Sequence, residues 1–183
     1  MSAQTLFARL PALPADGELL RQCRAGDQAA WRRMVVSRAA QVYRWAVLLG
    51  LGPAEAEDAS QEVFVIAARR IGSCRDEALS SWLFQITRRV CANHRRRGWW
   101  RRWLGRVSLD DVTPAFQPPG ADELAVRNCL ARLSPRLAEV LVLMDIDGLT
   151  RDETAATLGV PPGTVASRLR LARAAFERLW SAP

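Results

Sequence analysis

Residues 150–176 have the sequence TRDETAATLGVPPGTVASRLRLARAAF, and this stretch decides the fold of the C-terminal part of the chain. Thr150 and Glu153 match a capping box, in which the hydroxyl and the carboxylate bind free backbone amides at the start of a helix. Gly159 predicts the end of that helix, and the turn VPPG precedes a longer helix. A short helix, a tight turn and a longer helix indicate a helix-turn-helix, whose last helix can enter the major groove of DNA.

The apolar residues of the longer helix predict which side faces a core. They recur at helical spacing, at Val165, Leu169, Ala172 and Phe176. The opposite arc then carries Ala166, Ser167, Arg170 and Arg173. Arginine can bridge phosphate oxygens or guanine acceptors, and serine can bind either group, so this arc is a candidate DNA-binding surface.

The rest of the chain also predicts helices, because apolar residues recur three and four apart and no segment alternates with a period of two. Asp27 is expected to cap a helix whose inward residues are Trp31, Val35, Val42, Trp45 and Leu49. Pro53 is expected to open the next helix, and a third helix is expected from about residue 80 to residue 97. We therefore predict an all-α fold.

Prolines and a glycine break the helical pattern between residues 98 and 121, which predicts a flexible linker. Beyond it, residues 122–133 are expected to form a short helix. Ser134 and Pro135 are expected to cap and open the following helix, which Gly148 ends. We thus predict two small helical domains: a bundle over residues 1–97, a linker over residues 98–121 and a helix-turn-helix domain over residues 122–183.

The chain carries a formal charge of +7, since 26 arginines, with no lysine, outnumber 19 aspartates and glutamates. Excess positive charge favours a polyanionic partner, because binding releases the counterions of a nucleic acid. Between Glu77 and Asp110 there is no acidic residue, while arginines accumulate beside Trp99, Trp100 and Trp103. Such a stripe suits a nucleic acid strand with exposed bases, although a solvated basic linker is equally consistent with it.

Membrane and metal-binding classes are disfavoured. No apolar run reaches the roughly 18 residues that a membrane crossing needs, and the N-terminus lacks a signal-peptide pattern, so we expect a cytoplasmic protein without stable membrane insertion. The cysteines form no CxxC pair and are expected to be small buried residues: Cys23, Cys74, Cys91 and Cys129. Cys91 and His94 are three apart on a predicted helix, but two ligands fall short of the four of a structural zinc site.

The sequence offers little for catalysis. It has no phosphate-binding glycine loop, HExxH motif or nucleophile elbow, and it contains a single histidine. The segment DIDG at 145–148 is too short for a calcium loop. We therefore expect no catalytic residue, no metal and no cofactor.

Two blocks of sequence resemble sigma factors of the extracytoplasmic-function group, which are promoter-specificity subunits of bacterial RNA polymerase. DASQEVF at 58–64, SWLFQI at 81–86 and the arginine run resemble their second conserved region. LSPR at 133–136, DGLT at 147–150 and PGTVASRL at 162–169 resemble their fourth region. Response regulators share a similar helix-turn-helix, whereas both blocks in this order are specific to sigma factors.

The resemblance implies roles for three surfaces. It assigns docking on the clamp helices of the largest polymerase subunit to Asp58, Gln61, Glu62 and Phe64. It assigns recognition and opening of the minus-ten promoter sequence to Arg88, Arg89, Asn93, Arg95, Arg96 and Arg97. It assigns recognition of the minus-thirty-five sequence to Thr164, Ala166, Ser167, Arg168, Arg170 and Arg173. Ala166 stands where members commonly have a basic residue, which shifts readout toward phosphates and DNA shape.

The implied partners are core RNA polymerase, double-stranded and melted promoter DNA, and an anti-sigma factor of the kind common in the group. A transcription regulator that binds an operator without polymerase is the main alternative, and a basic membrane-surface protein is another. The acidic residues near Glu62 also have a plain structural explanation, because the dipole of a helix favours negative charge at its start. Reversal of the charge at Glu62 separates the alternatives, since a sigma factor should lose polymerase binding and a regulator should tolerate the change.

Overall fold

The computed structural model describes residues 16–75, 78–103 and 121–181, and these residues contain helices and no strand. The chain divides into two compact units. In its described part, one unit comprises residues 16–47, 51–75 and 78–103, and the other comprises residues 48–50 and 121–181. The predicted all-α fold with two helical domains is confirmed.

The described part of the first unit contains four helices. They are α1 (Asp16–Arg24), α2 (Gln28–Leu48), α3 (Pro53–Arg70) and α4 (Leu79–Trp103), with a single 3-10 turn at Ile71–Ser73 after α3. Asp27 caps α2 as predicted, because its Oδ1 accepts hydrogen bonds from the amides of Ala29 at 2.8 Å and Ala30 at 3.2 Å. Pro53 is the first residue of α3, where its missing N–H has no helical partner to lose.

The core of the first unit lies where α3 packs on α4 and where the indole of Trp45 meets the ring of Phe84 edge-on, 5.2 Å between centroids. The inward face of α2 differs from the prediction. Trp31 and Val35 are only partly buried, whereas the preceding residues Ala30 and Met34 are fully buried. The sequence did not reveal this buried side of α2 because its next inward position is a charged residue, Arg38. That side chain is 3% exposed and donates to the hydroxyl of Ser80 at 3.1 Å.

Helix α4 is longer than predicted. We expected it to end near Arg97, with an irregular linker from Gly98, but it continues to Trp103. A glycine inside a helix costs only about 1 kcal/mol relative to alanine, and the flanking arginines are good helix formers. The first proline after it is Pro114, so nothing forces the helix to end at Gly98. Most of the predicted linker, residues 104–120, lies outside the described residues.

The second unit contains α5 (Ala121–Arg132), α6 (Pro135–Leu141), α7 (Arg151–Leu158) and α8 (Pro162–Trp180). A π turn at Val142–Ile146 follows α6 directly. Helix α8 packs against α5, α6 and α7, so among the described residues of this unit the longest helix contacts each of the others. Its buried residues include Val165 and Ala172, with Leu169 and Phe176 partly buried, as the apolar spacing predicts.

The helix ends of the second unit follow the sequence with one exception. The Glu153 carboxylate accepts from the amide of Thr150 at 2.8 Å, and the Glu153 amide donates to the Thr150 hydroxyl at 3.3 Å, which completes the capping box. Gly159 ends α7 with a φ of 67°, in the left-handed region that glycine adopts without strain. Ser134 occupies the first position before α6, but its side chain makes no capping hydrogen bond. Its backbone carbonyl instead accepts from the amides of Leu137 and Ala138.

Candidate functional site

The outward side of α3 is the first candidate surface. Its inward residues are Ala56, Ala59, Val63 and Ala67. Asp58 and Gln61 are exposed on the opposite side, while Phe64 is partly buried at its edge. The predicted exposure of Asp58 and Gln61 on α3 is therefore confirmed.

Val65 belongs to the same surface and was missed by the sequence analysis. Its side chain is 51% exposed, and it lies seven residues after Asp58 and four after Gln61, so the three residues form one stripe along α3. We call Asp58, Gln61 and Val65 the α3 stripe. The helical spacing could have identified Val65, because a residue seven positions after the exposed Asp58 lies on the same side of the helix and so faces away from the core.

Glu62 has a different environment from the α3 stripe. Its Oε2 lies 3.0 Å from Nε2 of His94 on α4, and the two side chains are 35% and 13% exposed. The residue therefore contributes to the packing of α3 on α4 as well as to the surface. This contact engages Nε2 of His94, and the prediction that the four cysteines are buried and outside disulfides is confirmed.

Cys91 is further disfavoured as a metal ligand by its surroundings. Burial raises the pKa of its thiol to about 12, and the opposing effect of Arg95 is smaller. Metals bind the thiolate, which this environment disfavours. Among the described residues no group of three or more His, Cys, Asp or Glu side chains is placed to hold a metal ion.

The outward side of α4 is the second candidate surface. Arg89, Arg96 and Arg97 are exposed, and the other predicted residues, Arg88, Asn93 and Arg95, are partly buried. Two rows of arginines run along the helix. Arg88 and Arg95 form one row and Arg89 and Arg96 the other, and the two members of a row are seven residues, or about 10 Å, apart along the helix axis. We call these six residues the α4 basic face.

One contact inside the α4 basic face orders two of its members. Nη2 of Arg96 donates to Oδ1 of Asn93 at 3.3 Å, which orients the guanidinium along the helix surface. The helix backbone continues through Trp99, Trp100 and Trp103, but the side chains of these residues lie outside the described part of the chain. Their proposed stacking on bases stays a prediction.

The outward side of α8 is the third candidate surface. Ala166, Ser167 and Arg170 are exposed, while Thr164 and Arg168 are partly buried. The hydroxyl of Ser167 donates to the backbone carbonyl of Thr164 at 3.0 Å, which leaves its oxygen lone pairs toward solvent. These residues occupy the first three turns of the helix, the part that enters the major groove in a helix-turn-helix.

Arg173 is also exposed on this outward side of α8, seven residues after Ala166 and three after Arg170, where the apolar spacing predicts it. It follows the buried Ala172, and its side chain reaches the π turn that follows α6. There Nε donates to Oδ2 of Asp145 at 3.0 Å and Nη2 donates to Oδ1 at 2.6 Å. The hydrogen bonds to Asp145 raise the pKa of Arg173 and hold its half-exposed guanidinium against the carboxylate. The 28-residue separation from Asp145 gave the sequence no indication of this pair.

Within the described residues no helix is both long and apolar enough to span a membrane. Comparison with known families gives two matches in the order of the predicted domains. A family model described as Sigma-70 region 2 matches residues 34–101, and one described as Sigma-70, region 4 matches residues 123–176. The first match contains the α3 stripe and the α4 basic face, and the second contains α7 and most of α8.

Individual proteins are similar over nearly the whole chain. The chain is 35% identical over 168 residues to the ECF RNA polymerase sigma factor SigM of Mycobacterium tuberculosis, which covers 90% of this chain and 84% of that protein. It is also 34% identical over 167 residues to the ECF RNA polymerase sigma factor SigE of Mycolicibacterium smegmatis, covering 81% of this chain and 62% of that one.

A solved structure extends the similarity to three dimensions. It is the structure of CnrH in complex with the cytosolic domain of CnrY, with a TM-score of 0.69, 27% sequence identity and coverage of 90% of this chain and 96% of that one. The helical fold of this chain is therefore shared with a solved structure. The alternative of a regulator that binds an operator without polymerase does not account for the similarity of the first unit to Sigma-70 region 2.

Proposed function

The chain belongs to the ECF RNA polymerase sigma factors, and from this membership we propose which of its surfaces meets core RNA polymerase and which meet promoter DNA. Sigma factors bind both partners, and the chain is a promoter-recognition initiation factor. The observation that carries this function is the similarity of both units, regions 2 and 4, in one chain. The surfaces below are our assignment of the separate roles.

Core polymerase is proposed to bind the α3 stripe together with Glu62 and Phe64. An exposed carboxylate and amide on a chain of net charge +7 complement a basic partner. Val65 adds an exposed apolar side chain beside them, and an apolar centre with a polar rim is typical of protein interfaces. Part of the acidic character near the start of α3 compensates the helix dipole, but that effect falls off within the first turn, before Asp58.

The α4 basic face is proposed to hold the melted minus-ten sequence. Its arginines can bind the phosphates of the displaced strand, because guanidinium and phosphate pair in a fork geometry. DNA opening then requires no chemistry from the protein. By binding the unpaired strand more tightly than the duplex, the face shifts the equilibrium toward the melted state.

Helix α8 is proposed to enter the major groove of the minus-thirty-five duplex through its exposed arc, Ser167 and Arg170. Ala166 has no hydrogen-bonding group, so at that position the helix reads the thymine methyl or DNA shape rather than a base donor. Thr164 and Arg168, at the edges of the arc, are proposed to bind phosphates. These contacts fix the register of the helix on the duplex.

The division of labour follows the division of the chain. We propose that residues 1–97 and 122–183 act as separate DNA-binding domains across the linker at 98–121, a division that the two matched segments support. Sigma factors are initiation factors rather than enzymes as a class, and we propose that this chain has no catalytic activity of its own. We further propose that it acts in the cytoplasm and that an anti-sigma factor controls it, by analogy with CnrH, which was solved in complex with CnrY.

Polymerase binding can be tested by titrating the fluorescently labelled chain with bacterial core RNA polymerase and measuring anisotropy. Asp58→Arg is expected to weaken binding at least about tenfold, because a cation then opposes the basic partner. Glu177→Arg is a matched control, since it makes the same charge change at an exposed position on α8 outside the proposed surfaces. Equal affinity of both variants and wild type would contradict docking through the α3 stripe. Absence of wild-type binding would favour the regulator.

A further inference from the structure

Asp145 forms the centre of a contact that the proposed DNA surface does not explain. It belongs to the π turn after α6, and its side chain is 13% exposed. Its two oxygens accept both hydrogen bonds of the Arg173 guanidinium edge, at 3.0 Å and 2.6 Å, while Arg173 is 51% exposed. A paired fork of this kind fixes the orientation of both groups.

The π turn places Asp145 where it can reach α8. The amide of Asp147 donates to the carbonyl of Val142, five residues earlier, at 2.9 Å, and Leu149 donates to Leu143 at 2.9 Å. A π turn accommodates one residue more per turn than an α-helix and so changes the direction of the side chains that follow. The partly buried carboxylate therefore reaches Arg173 near the middle of α8, less than one turn beyond Arg170.

The charge of Arg173 is compensated by this pairing. Its Nε and Nη2 groups are directed at Asp145, so only the remaining N–H groups reach solvent. Arg170, three residues earlier, is exposed on the arc with Ser167 and has no carboxylate partner among the residues that the structure describes. Two arginines of one helix thus differ in the charge they offer to a phosphate.

We propose that Asp145 is a positioning residue for recognition of the promoter duplex. It holds α8 against the π turn through Arg173, and it keeps Arg173 from binding DNA phosphates indiscriminately. The proposal rests on the proposed role of α8 as the duplex reader. Its consequence is that Asp145 increases the preference for the promoter over other DNA while reducing the total affinity for DNA.

The test measures binding of the full chain to two fluorescent duplexes over a range of KCl concentrations. One duplex carries a promoter upstream sequence selected by transcription with the reconstituted polymerase, and the other has a scrambled sequence. Each phosphate contact contributes about 0.9 to the slope of log affinity against log salt. The variants are Arg170→Gln, Arg173→Gln, Asp145→Asn and the double variant of the last two.

Arg170→Gln is expected to reduce the salt slope by about 0.9, whereas Arg173→Gln is expected to leave the slope unchanged. Asp145→Asn releases Arg173, so affinity for the scrambled duplex should rise about fivefold at physiological salt and the promoter preference should fall. The double variant should lose the gain in affinity, because the released cation is then absent. If the ion pair has only a structural role, the variants should change thermal stability, but the salt slope should stay the same and Asp145→Asn should not raise the affinity for the scrambled duplex.

Two results separate failure of this proposal from failure of the proposed function. If Arg173→Gln lowers the slope as much as Arg170→Gln, or if Asp145→Asn weakens binding to both duplexes, Asp145 does not act as proposed. If Arg170→Gln also leaves the slope and affinity unchanged, α8 is not the duplex reader and the underlying function of this helix is wrong. Asp145→Asn preserves the size of the side chain, and circular dichroism establishes that each variant is folded before binding is measured.

Discussion

Nε2 of His94 lies 3.0 Å from Oε2 of Glu62, and this contact joins α3 to α4. The two helices carry the surfaces that we assign to polymerase and to the melted strand. A change at Glu62 therefore alters the packing between the surfaces as well as the charge of one of them. For this reason Asp58, which is exposed and belongs to the α3 stripe, is the better position for a test of polymerase binding.

We predict that Glu62→Arg destabilises the first unit, whereas Asp58→Arg does not. Loss of the carboxylate leaves the mostly buried His94 without its partner and places a cation beside it, which costs about 1–3 kcal/mol of unfolding free energy. The exposed Asp58 should tolerate the same charge change within about 0.5 kcal/mol. Urea unfolding followed by circular dichroism measures both values, and equal stability of the two variants would contradict this role of the His94 contact.

The capping box of α7 should contribute measurably to the second unit. Thr150→Ala removes the hydroxyl that accepts from the Glu153 amide, and loss of such a cap typically costs about 1 kcal/mol. Thr157→Ser on the same helix is a control, because it preserves the hydroxyl that donates to the carbonyl of Glu153. Thermal unfolding measures the stability of both variants, and an unfolding midpoint of Thr150→Ala equal to that of the wild type would contradict a stabilising role of the cap.

The same cap should make stability depend on pH. Hydrogen bonds from the amide and the hydroxyl of Thr150 lower the pKa of Glu153 below its ordinary value of 4.5. Because the folded pKa is depressed, the contribution is complete above the unfolded pKa and is lost as the pH falls through the folded one. Wild type should thus be more stable than Glu153→Gln near neutrality, with the difference shrinking below pH 4.5. A difference that grew as the pH fell would have the wrong sign.

Cys91 should be chemically inert in the folded protein. Its side chain is fully buried and its pKa is raised to about 12, so the nucleophilic thiolate is scarce at pH values near neutrality. Iodoacetamide should label it at least about a hundredfold more slowly in the native protein than in urea. Peptide mass spectrometry measures labelling at this site separately from the other cysteines, and similar native and unfolded rates would show that the thiol is accessible.

Phe84 should be a major determinant of the first core. Its ring is fully buried and meets Trp45 edge-on at 5.2 Å. Phe84→Ala is expected to cost about 3–5 kcal/mol through lost contacts and a cavity, whereas Phe84→Leu, which retains much of the volume, should cost clearly less. Denaturant unfolding compares the two variants, and a small effect of the alanine variant would mean that this aromatic pair is peripheral.

The sequence predicted the features that depend on nearby residues. Thr150, Glu153 and Gly159 act within one or two turns of a helix, and their spacing alone indicates the cap and the end that the structure contains. Asp27 did the same for α2. The helical spacing of Val165 and Ala172 likewise identified the inward side of α8. These are local relations, and the backbone leaves few alternatives once the residue types are known.

The features that the sequence did not predict depend on distant partners or on unusual residues. Arg38 occupies an inward position and so displaced the predicted face of α2 by one residue. The π turn has no sequence motif, and the pairing of Asp145 with Arg173 across 28 residues follows only from where that turn directs its side chains. The contact of Glu62 with His94 spans 32 residues in the same way. Tertiary contacts of this kind change the role of a residue without changing the local pattern around it.

The most direct test of the central claim is transcription from a library of genomic promoters by purified bacterial core polymerase with this chain added. Wild type and the matched control Glu177→Arg should produce the same discrete start sites, and Asp58→Arg should lose them while remaining folded. If wild type directs no initiation, the proposed initiation function is contradicted. If Asp58→Arg starts transcription as efficiently as the control, the proposed docking surface is contradicted.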